Sequence, residues 1–383
     1  MIDLLKEVAR GKRGARDLNY GESLEAAENI LGGRSTPAQT GAFLIAERLK
    51  LESAEELEAF VSVLRRHSYR ECRRPGIDFA GPYDGRQKTF WASLPTAFVV
   101  AAAGVPVTLH GSAPLPPKYG IVLHDILRAI GIDPLRLSRA DAIAAADASA
   151  AVNAGADANV AIASRGATAH HAGGGVLFAD SAKWCPPLGR LHDIREELGM
   201  RTLLNTAEKL VDYACSPYLV LSVFHNTVID RLARLVSRLG YRKALIVQGA
   251  EGSEDVFIHR PTRIHTVEEG RCELDLLDPE MYGLDTELPE EDEPWTARRQ
   301  VETLEDVLQG GGHMAYYNQT LLNAAVRLHL AGAVGSIEEG IYTAKPLLDN
   351  GAAQNVYARW KSVLLEAAPA GDAGKRQVEA RNG

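Results

Sequence analysis

The stretch Tyr218–Gly249, YLVLSVFHNTVIDRLARLVSRLGYRKALIVQG, changes period twice within one short segment. Tyr218 to Val223 is an apolar run of strand character, Thr227 to Leu239 reads as a helix closed by Gly240, and Ala244 to Val247 is a second apolar run ending at Gly249. Strand, helix and strand in this order imply a right-handed βαβ crossover between parallel strands. Upstream, beyond Pro75, Leu94 to Ala103, Val105 to His110 and Ile121 to Ile130 are apolar segments each followed by glycine, so the α/β alternation extends toward the N-terminus.

The flanks differ. The first seventy residues read as consecutive helices, with Gly32-Gly33 as a stop and Thr36-Pro37 as an N-cap followed by proline at the first helical position. Ser53 and Glu56 have capping-box spacing, and Leu57, Phe60, Val61 and Leu64 form one apolar stripe behind them. Residues 141–166 are alanine-rich and fit a helix and a turn. Glu287 to Pro294 is an acidic connector before a helical tail from Val301 to Leu330, and the residues after Pro369 read as frayed.

With 383 residues, 46% hydrophobic and 24% charged, the chain can bury a sizeable core, and two domains are expected. Its 42 Lys and Arg against 50 Asp and Glu, net -8, exclude a generally basic nucleic-acid coat or membrane-surface protein but not a local basic groove. Four cysteines, Cys72, Cys185, Cys215 and Cys272, are far apart and suggest neither a disulfide framework nor a zinc knuckle. A reducing cytoplasm is the expected location. Met1 to Arg10 lacks a signal-peptide apolar core, and the alanine-rich runs are too short and punctuated to span a bilayer.

In α/β sheets ligands gather at the carboxyl ends of strands, which singles out four segments. Asp78 to Thr89, DFAGPYDGRQKT, carries Arg86 and Lys88 before a helix and reads either as an anion loop or as surface. Val107 to Gly120, VTLHGSAPLPPKYG, places His110-Gly111 at a strand end, then three prolines and Lys118; His110 alone is equally a structural hydrogen-bonder. In VQGAEGSED, Glu251, Glu254 and Asp255 follow a buried strand and could hold Mg²⁺ or form a charged turn. HDIREELGMRT offers Arg195 and Arg201 to a carboxylate or phosphate, or to Asp193, Glu196 and Glu197 as salt bridges. His170 and His171 are adjacent and make a poor metal pair. The absence of Gly-x-Gly-x-x-Gly, Walker and Gly-x-Ser-x-Gly signatures argues against dehydrogenase, P-loop and serine-hydrolase chemistry.

Taken in order, these segments resemble the anthranilate phosphoribosyltransferase (TrpD) family of the nucleoside phosphorylase and phosphoribosyltransferase superfamily. The run from Asp17 to Phe60 is similar to the family's helical N-terminal domain, and LLNAAVRLHLAGAVGSIEEGI resembles its C-terminal helices. The family's Val-Arg-x-x-Leu-Gly-x-Arg-Thr stretch is matched by Ile194, Arg195, Leu198, Gly199, Arg201 and Thr202, which implies an acceptor contact for Arg195. Its magnesium-binding acidic pair falls on Glu254 and Asp255, in reversed order. The resemblance implies an α/β fold with a helical domain at residues 1–72, joined by a segment near 165–200. The α/β domain then covers 73–164 and 201–368, with 369–383 as a tail. It also implies Mg²⁺, a phosphoribosyl diphosphate-like ligand, pentosyl transfer and a homodimer through the N-terminal helices.

The diphosphate motifs depart from that pattern. Gly-Thr-Gly-Gly-Asp becomes Ala80-Gly81-Pro82-Tyr83-Asp84, Asn-x-Ser-Thr becomes Trp91-Ala92-Ser93-Leu94, and Lys-His-Gly-Asn becomes Leu109-His110-Gly111-Ser112. AEKLVDYACSP replaces a Gly-Pro-Leu-x-Asn-Pro loop. At about 1.5 to 3 kcal/mol per lost charge-assisted hydrogen bond, three or four losses cost several orders of magnitude in diphosphate affinity unless Arg86, Lys88 and Lys118 replace them. The PYDGRQ, HGSAPLPPK and RTLLNTAEKL segments look more like a paralogous branch, the TrpD-like proteins exemplified by YbiB, which bind nucleic acid. Arg65, Arg66, Arg70, Arg73, Arg74, Arg86 and Lys88, interleaved with Tyr69, Tyr83, Phe90 and Trp91, give that alternative its single-strand groove. A solvated hinge with buried aromatics is the structural alternative.

Overall fold

The computed structural model describes residues 1–11, 13–154, 174–290 and 293–370. Four helices open the chain: α1 (Ile2–Val8), α2 (Tyr20–Leu31), α3 (Pro37–Lys50) and α4 (Ala54–Arg66). Three of them begin with complete capping boxes, Asn19 with Glu22, Thr36 with Gln39 and Ser53 with Glu56, so each start satisfies two backbone N–H groups.

Strand β1 (Ile77–Ala80) is followed by α5 (Ser93–Ala102), β2 (Val107–Gly111), α6 (Leu123–Ala129), α7 (Arg139–Ala154) and β3 (Val176–Asp180). Three short helices, α8 (Ser181–Trp184), α9 (Pro186–Arg190) and α10 (His192–Leu198), come next, then α11 (Leu204–Ala207). The quoted crossover is β4 (Tyr218–Ser222), α12 (Ile229–Arg238) and β5 (Lys243–Val247), with β4 and β5 paired in parallel. A hairpin of β6 (Thr262–Glu268) and β7 (Arg271–Leu277) precedes α13 (Ala297–Leu308), α14 (Met314–Leu330), α15 (Ile337–Asp349) and α16 (Ala352–Ala367). The helical run from Val301 is therefore broken, at the glycines Gly310 to Gly312, two of which have positive φ.

One seven-stranded sheet runs β3-β2-β1-β4-β5-β6-β7, parallel through β5 and antiparallel beyond it. Successive side chains of a strand point to opposite faces, and both faces here are covered. Val220, Leu245 and Val247 enter one core with α5 and the C-terminal helices, while Leu219, Leu221, Ala244 and Ile246 enter the other with the N-terminal helices and α12. Trp184, Leu188 and Leu191 belong to that second core, so α8 to α10 pack with α1 to α4 across a long gap in sequence. Of the segment expected near 165–200, residues 165–173 lie outside the described residues, as do His170-His171 and the tail from 371. Among the described residues no helix is long and apolar enough to cross a membrane.

Contrary to the reading from cysteine spacing, Cys72 and Cys215 form a disulfide, with Cα atoms 5.1 Å apart across 143 residues. The fold brings together what the sequence holds far apart.

Inside the helical domain Glu47 is fully buried beside Glu56 and Lys50, and burial, reinforced by Glu56, pushes its carboxyl up to about 8. The folded chain thus holds a proton there that the unfolded chain releases near pH 4.5. This contribution is complete below pH 4.5 and is lost as pH rises toward 8. Between pH 5 and 8.5 the wild type should lose about 4 kcal/mol relative to Glu47→Gln in urea unfolding. Parallel pH profiles for the two proteins would refute it.

Candidate functional site

The carboxyl ends of β1, β2, β4 and β5 converge at Ala80, Gly111, Ser222 and Val247. After β5, a tight turn closed by Gly249 brings Glu254 and Asp255 back under the sheet edge. A Cβ on Gly249 would lie 2.1 Å from Asp255 O. Both acids are buried. Arg86 Nη1 lies 2.6 Å from Asp255 Oδ2, Arg86 Nη2 lies 3.3 Å from Glu254 Oε1, and Arg327 Nη2 lies 3.5 Å from Asp255 Oδ1. Ser93 Oγ is within hydrogen-bond reach of Glu254 Oε1 and, at 2.8 Å, of Asp255 Oδ1, and its single proton serves one of them at a time. Burial pushes the Glu254 carboxyl up, but Arg86 and Ser93 more than offset this and hold it below the usual range.

Two carboxylates therefore face two guanidiniums, a formally neutral set. Two unit charges 4 Å apart interact by about 4 kcal/mol at an effective dielectric of 20. A Mg²⁺ ion added here would meet both arginines, although one or two carboxylates with waters and substrate phosphates are an ordinary ligand set for it. Among the described residues no group of three or more His, Cys, Asp or Glu is arranged to hold a metal. For Mg²⁺ on Glu254 and Asp255 the obstacle is charge, because Arg86 and Arg327 already balance both carboxylates.

Glu254 Oε2 has no hydrogen-bond partner. It faces Gly81, where a Cβ would sit 2.7 Å away, and it lines a water-sized cavity of about 20 Å³ with Tyr83, Trp91, His110, Gly111 and Ser112. Tyr83 Oη lies 2.6 Å from His110 Nδ1, and His110 Nε2 lies 2.9 Å from Asp78 Oδ1 at an angle short of a hydrogen bond. Burial raises the Tyr83 phenol well above its ordinary pKa, so it stays protonated. Ser112 spends its hydroxyl proton on Ala113 O.

Around Asp84, the residue after Tyr83, the side chains are cationic. Arg201 donates through Nε and Nη2 to Asp84 Oδ2 at 3.0 and 2.5 Å, and Lys118 Nζ lies 3.4 Å from Asp84 Oδ1. Lys209 Nζ donates to Ser222 O at 2.8 Å and Ser222 Oγ at 3.2 Å. Burial pushes the Lys209 ammonium down to about 8, against the pull of Asp84, Glu208 and Glu254. Lys88 is exposed, while its backbone N–H and that of Gln87, with the Thr89 hydroxyl, donate to the Glu251 carboxylate.

Arg195, assigned by resemblance to an acceptor, instead meets Glu208 bidentately at 2.5 and 2.8 Å. Its side chain is only 5% exposed. The bases from Arg65 to Lys88 divide between buried and exposed: Arg66, Arg70, Arg73 and Lys88 are exposed, and Arg66 pairs with Glu28 at the surface. Arg65 donates to Leu210 O and Leu239 O, Arg70 pairs with Asp212, Arg73 with Glu71, and Arg74 with Asp147. Arg86 is 1% exposed and stacks over Trp91. Asp78, Lys209, Glu208 and Arg327 are site residues that the sequence does not single out, and Tyr83, read there as a stacking aromatic, instead meets His110. Arg327 had a signal, a lone cation inside the apolar run LLNAAVRLHL.

Comparison with known proteins agrees with this layout. The helical bundle domain of the Glycosyl transferase family matches residues 2–68, and that family's a/b domain matches residues 156–354. An anthranilate phosphoribosyltransferase of Thermomicrobium roseum is 31% identical over 350 residues, covering 90% of this chain and 92% of its own length. An uncharacterized protein of Aquifex aeolicus is 26% identical over 88% of this chain and 95% of its own. In structure, anthranilate phosphoribosyltransferase from Thermus thermophilus superposes with a TM-score of 0.73 at 23% identity, covering 94% of this chain and 99% of that one. The Saccharomyces cerevisiae enzyme in complex with PRPP and Mg gives 0.69 at 19% identity, over 95% and 98% of the two chains.

Proposed function

The chain belongs to the glycosyl transferase family of the anthranilate phosphoribosyltransferases, and from that premise we propose that it binds a phosphorylated ribose compound without carrying out anthranilate transfer. The observation that carries this reading is the set of Lys118, Arg201 and Lys209 around Asp84, next in sequence to Tyr83, which lines a cavity with His110 and Glu254. Clustered cations suit a phosphate, and the polar groups beside them suit sugar hydroxyls. Opening Asp84 toward a phosphate requires the phosphate to take over its two cations, an exchange of one anion for another.

The acceptor half of the family reaction has less support. Arg195 is fully engaged by Glu208, so a carboxylate-bearing acceptor would have to displace a bidentate buried partner. The nucleic-acid alternative loses Arg86, which is buried, and its other bases Arg65, Arg70, Arg73 and Arg74 each have a partner within the chain.

Calorimetric titration with ribose 5-phosphate, phosphoribosyl diphosphate and a single-stranded oligonucleotide tests this. A phosphoribosyl compound should bind, weakening about tenfold or more in Lys209→Met and Arg201→Met. Because the Lys209 ammonium loses its proton near pH 8, affinity should fall between pH 7 and 9 in the wild type but not in Lys209→Met. Saturable, salt-dependent binding of the oligonucleotide alone would overturn the reading in favour of the nucleic-acid branch, as would formation of phosphoribosyl anthranilate in favour of the biosynthetic reaction.

A further inference from the structure

We infer that Glu254 meets its ligand as a direct hydrogen-bond acceptor, with Arg86 and Arg327 permanently supplying the positive charge that a divalent ion would otherwise bring to the acidic pair. The ligand group it takes is a hydroxyl or N–H. This rests on the phosphorylated-ribose reading for the ligand's identity, whereas the exclusion of a metal from the pair stands on the side chains alone.

Three observations converge. The first is charge: Glu254 and Asp255 carry two negatives, Arg86 and Arg327 two positives, and all four side chains are at most 2% exposed. The second is anchorage. Arg327 Nη1 donates to Asn323 Oδ1 at 2.6 Å and Nη2 to Glu254 O at 3.0 Å, and its guanidinium lies 4.6 Å from the centroid of the Phe79 ring. Arg86 donates to Phe90 O and Ser93 Oγ besides the acids. Neither cation can swing out to admit an ion without leaving several buried acceptors unpaired. The third is direction. Glu254 lines the cavity and its Oε2 has no hydrogen-bond partner, next to Gly81, which leaves it room; Asp255 Oδ2 also lacks a hydrogen bond but lies 2.6 Å from Arg86 Nη1, and Asp255 does not line the cavity. An ionised, buried acceptor with free lone pairs attracts a donor and repels a phosphate oxygen. The phosphate therefore stays with the cations around Asp84 and the sugar hydroxyl goes to Glu254.

Mn²⁺, used alone as a paramagnetic probe, reads the metal half without any ligand. Wild type and Glu254→Gln should give the same free-ion signal at millimolar Mn²⁺. Arg327→Met, which leaves the pair one negative charge in excess, should gain affinity by about tenfold or more, and its melting temperature should rise with added Mn²⁺ while that of the wild type stays put. Saturable Mn²⁺ binding by the wild type that disappears in Glu254→Gln would overturn the inference. If Arg327→Met does not fold, the wild-type comparison still decides.

The ligand half is read by titrating ribose 5-phosphate in EDTA and in Mg²⁺. Equal Kd values, both weakened about tenfold by Glu254→Gln, are expected. A Kd that tightens with Mg²⁺ only while Glu254 is intact would count against the inference. Failure of every phosphoribosyl compound to bind would overturn the functional reading and leave the Mn²⁺ result to judge the metal half.

Discussion

Glu208→Gln should cost about 3–5 kcal/mol of unfolding free energy, and adding Arg195→Met should return most of it. Arg195 lies on α10, packed against the N-terminal helices, while Glu208 follows α11 beneath the sheet. Both are buried and meet through two nearly parallel hydrogen bonds. Removing the carboxylate charge leaves a guanidinium with little solvent and no counter-ion, which is far costlier than removing the pair. Chemical denaturation of the wild type, both single variants and the double variant forms a closed cycle. A coupling energy below about 1 kcal/mol would show that the pair is loosely held. That result would also restore Arg195 as a candidate for substrate contact, so stability and function are tested by one experiment.

The parts of this fold legible in the sequence are those whose causes are local. Capping boxes act within one turn, so Ser53 with Glu56 fixes the start of α4 wherever that helix packs. The β4–α12–β5 unit is likewise written in the change of apolar period and in Gly240, whose φ is +84°. The β6–β7 hairpin was not read. Glu269 and Gly270 form its two-residue turn, both at positive φ, but β7 is exposed along most of its length and offers no continuous apolar run.

The site was harder to read because its meaning lies in pairing. Arg86 and Arg70 look alike in sequence as bases in a cationic stretch, yet one sits 1% exposed against Glu254 and Asp255 and the other joins Asp212, 142 residues away. A basic stretch advertises donors; only the fold shows which are already spent. The same applies to Glu251, whose carboxylate accepts from Gln87, Lys88 and Thr89. Those donors have the look of an anion cradle in the loop sequence, but the protein fills it with its own acid. Lys209 gave no sequence signal at all, since it lies in AEKLVDYACSP, a segment matching no motif, and its position at the end of β4 is set by Ser222.

Asp255→Asn should likewise destabilise the fold by about 3–5 kcal/mol, because it leaves Arg86 and Arg327 sharing a single buried negative charge. The neutral amide also presents N–H groups where Ser93 and two guanidiniums already donate, so the loss includes a donor facing donors. Arg327→Met should cost a comparable amount by the opposite imbalance. Its long apolar side chain keeps much of the volume packed on Phe79, which separates the charge effect from a cavity. The double variant, neutral again with Glu254 against Arg86, should unfold nearer the wild type than either single variant does. Urea midpoints measured in EDTA keep any adventitious ion out of the comparison. If the two losses simply add, the four residues are not one charge-balanced unit. Arg327 would then be a packing residue beside an acidic pair that needs some other cation.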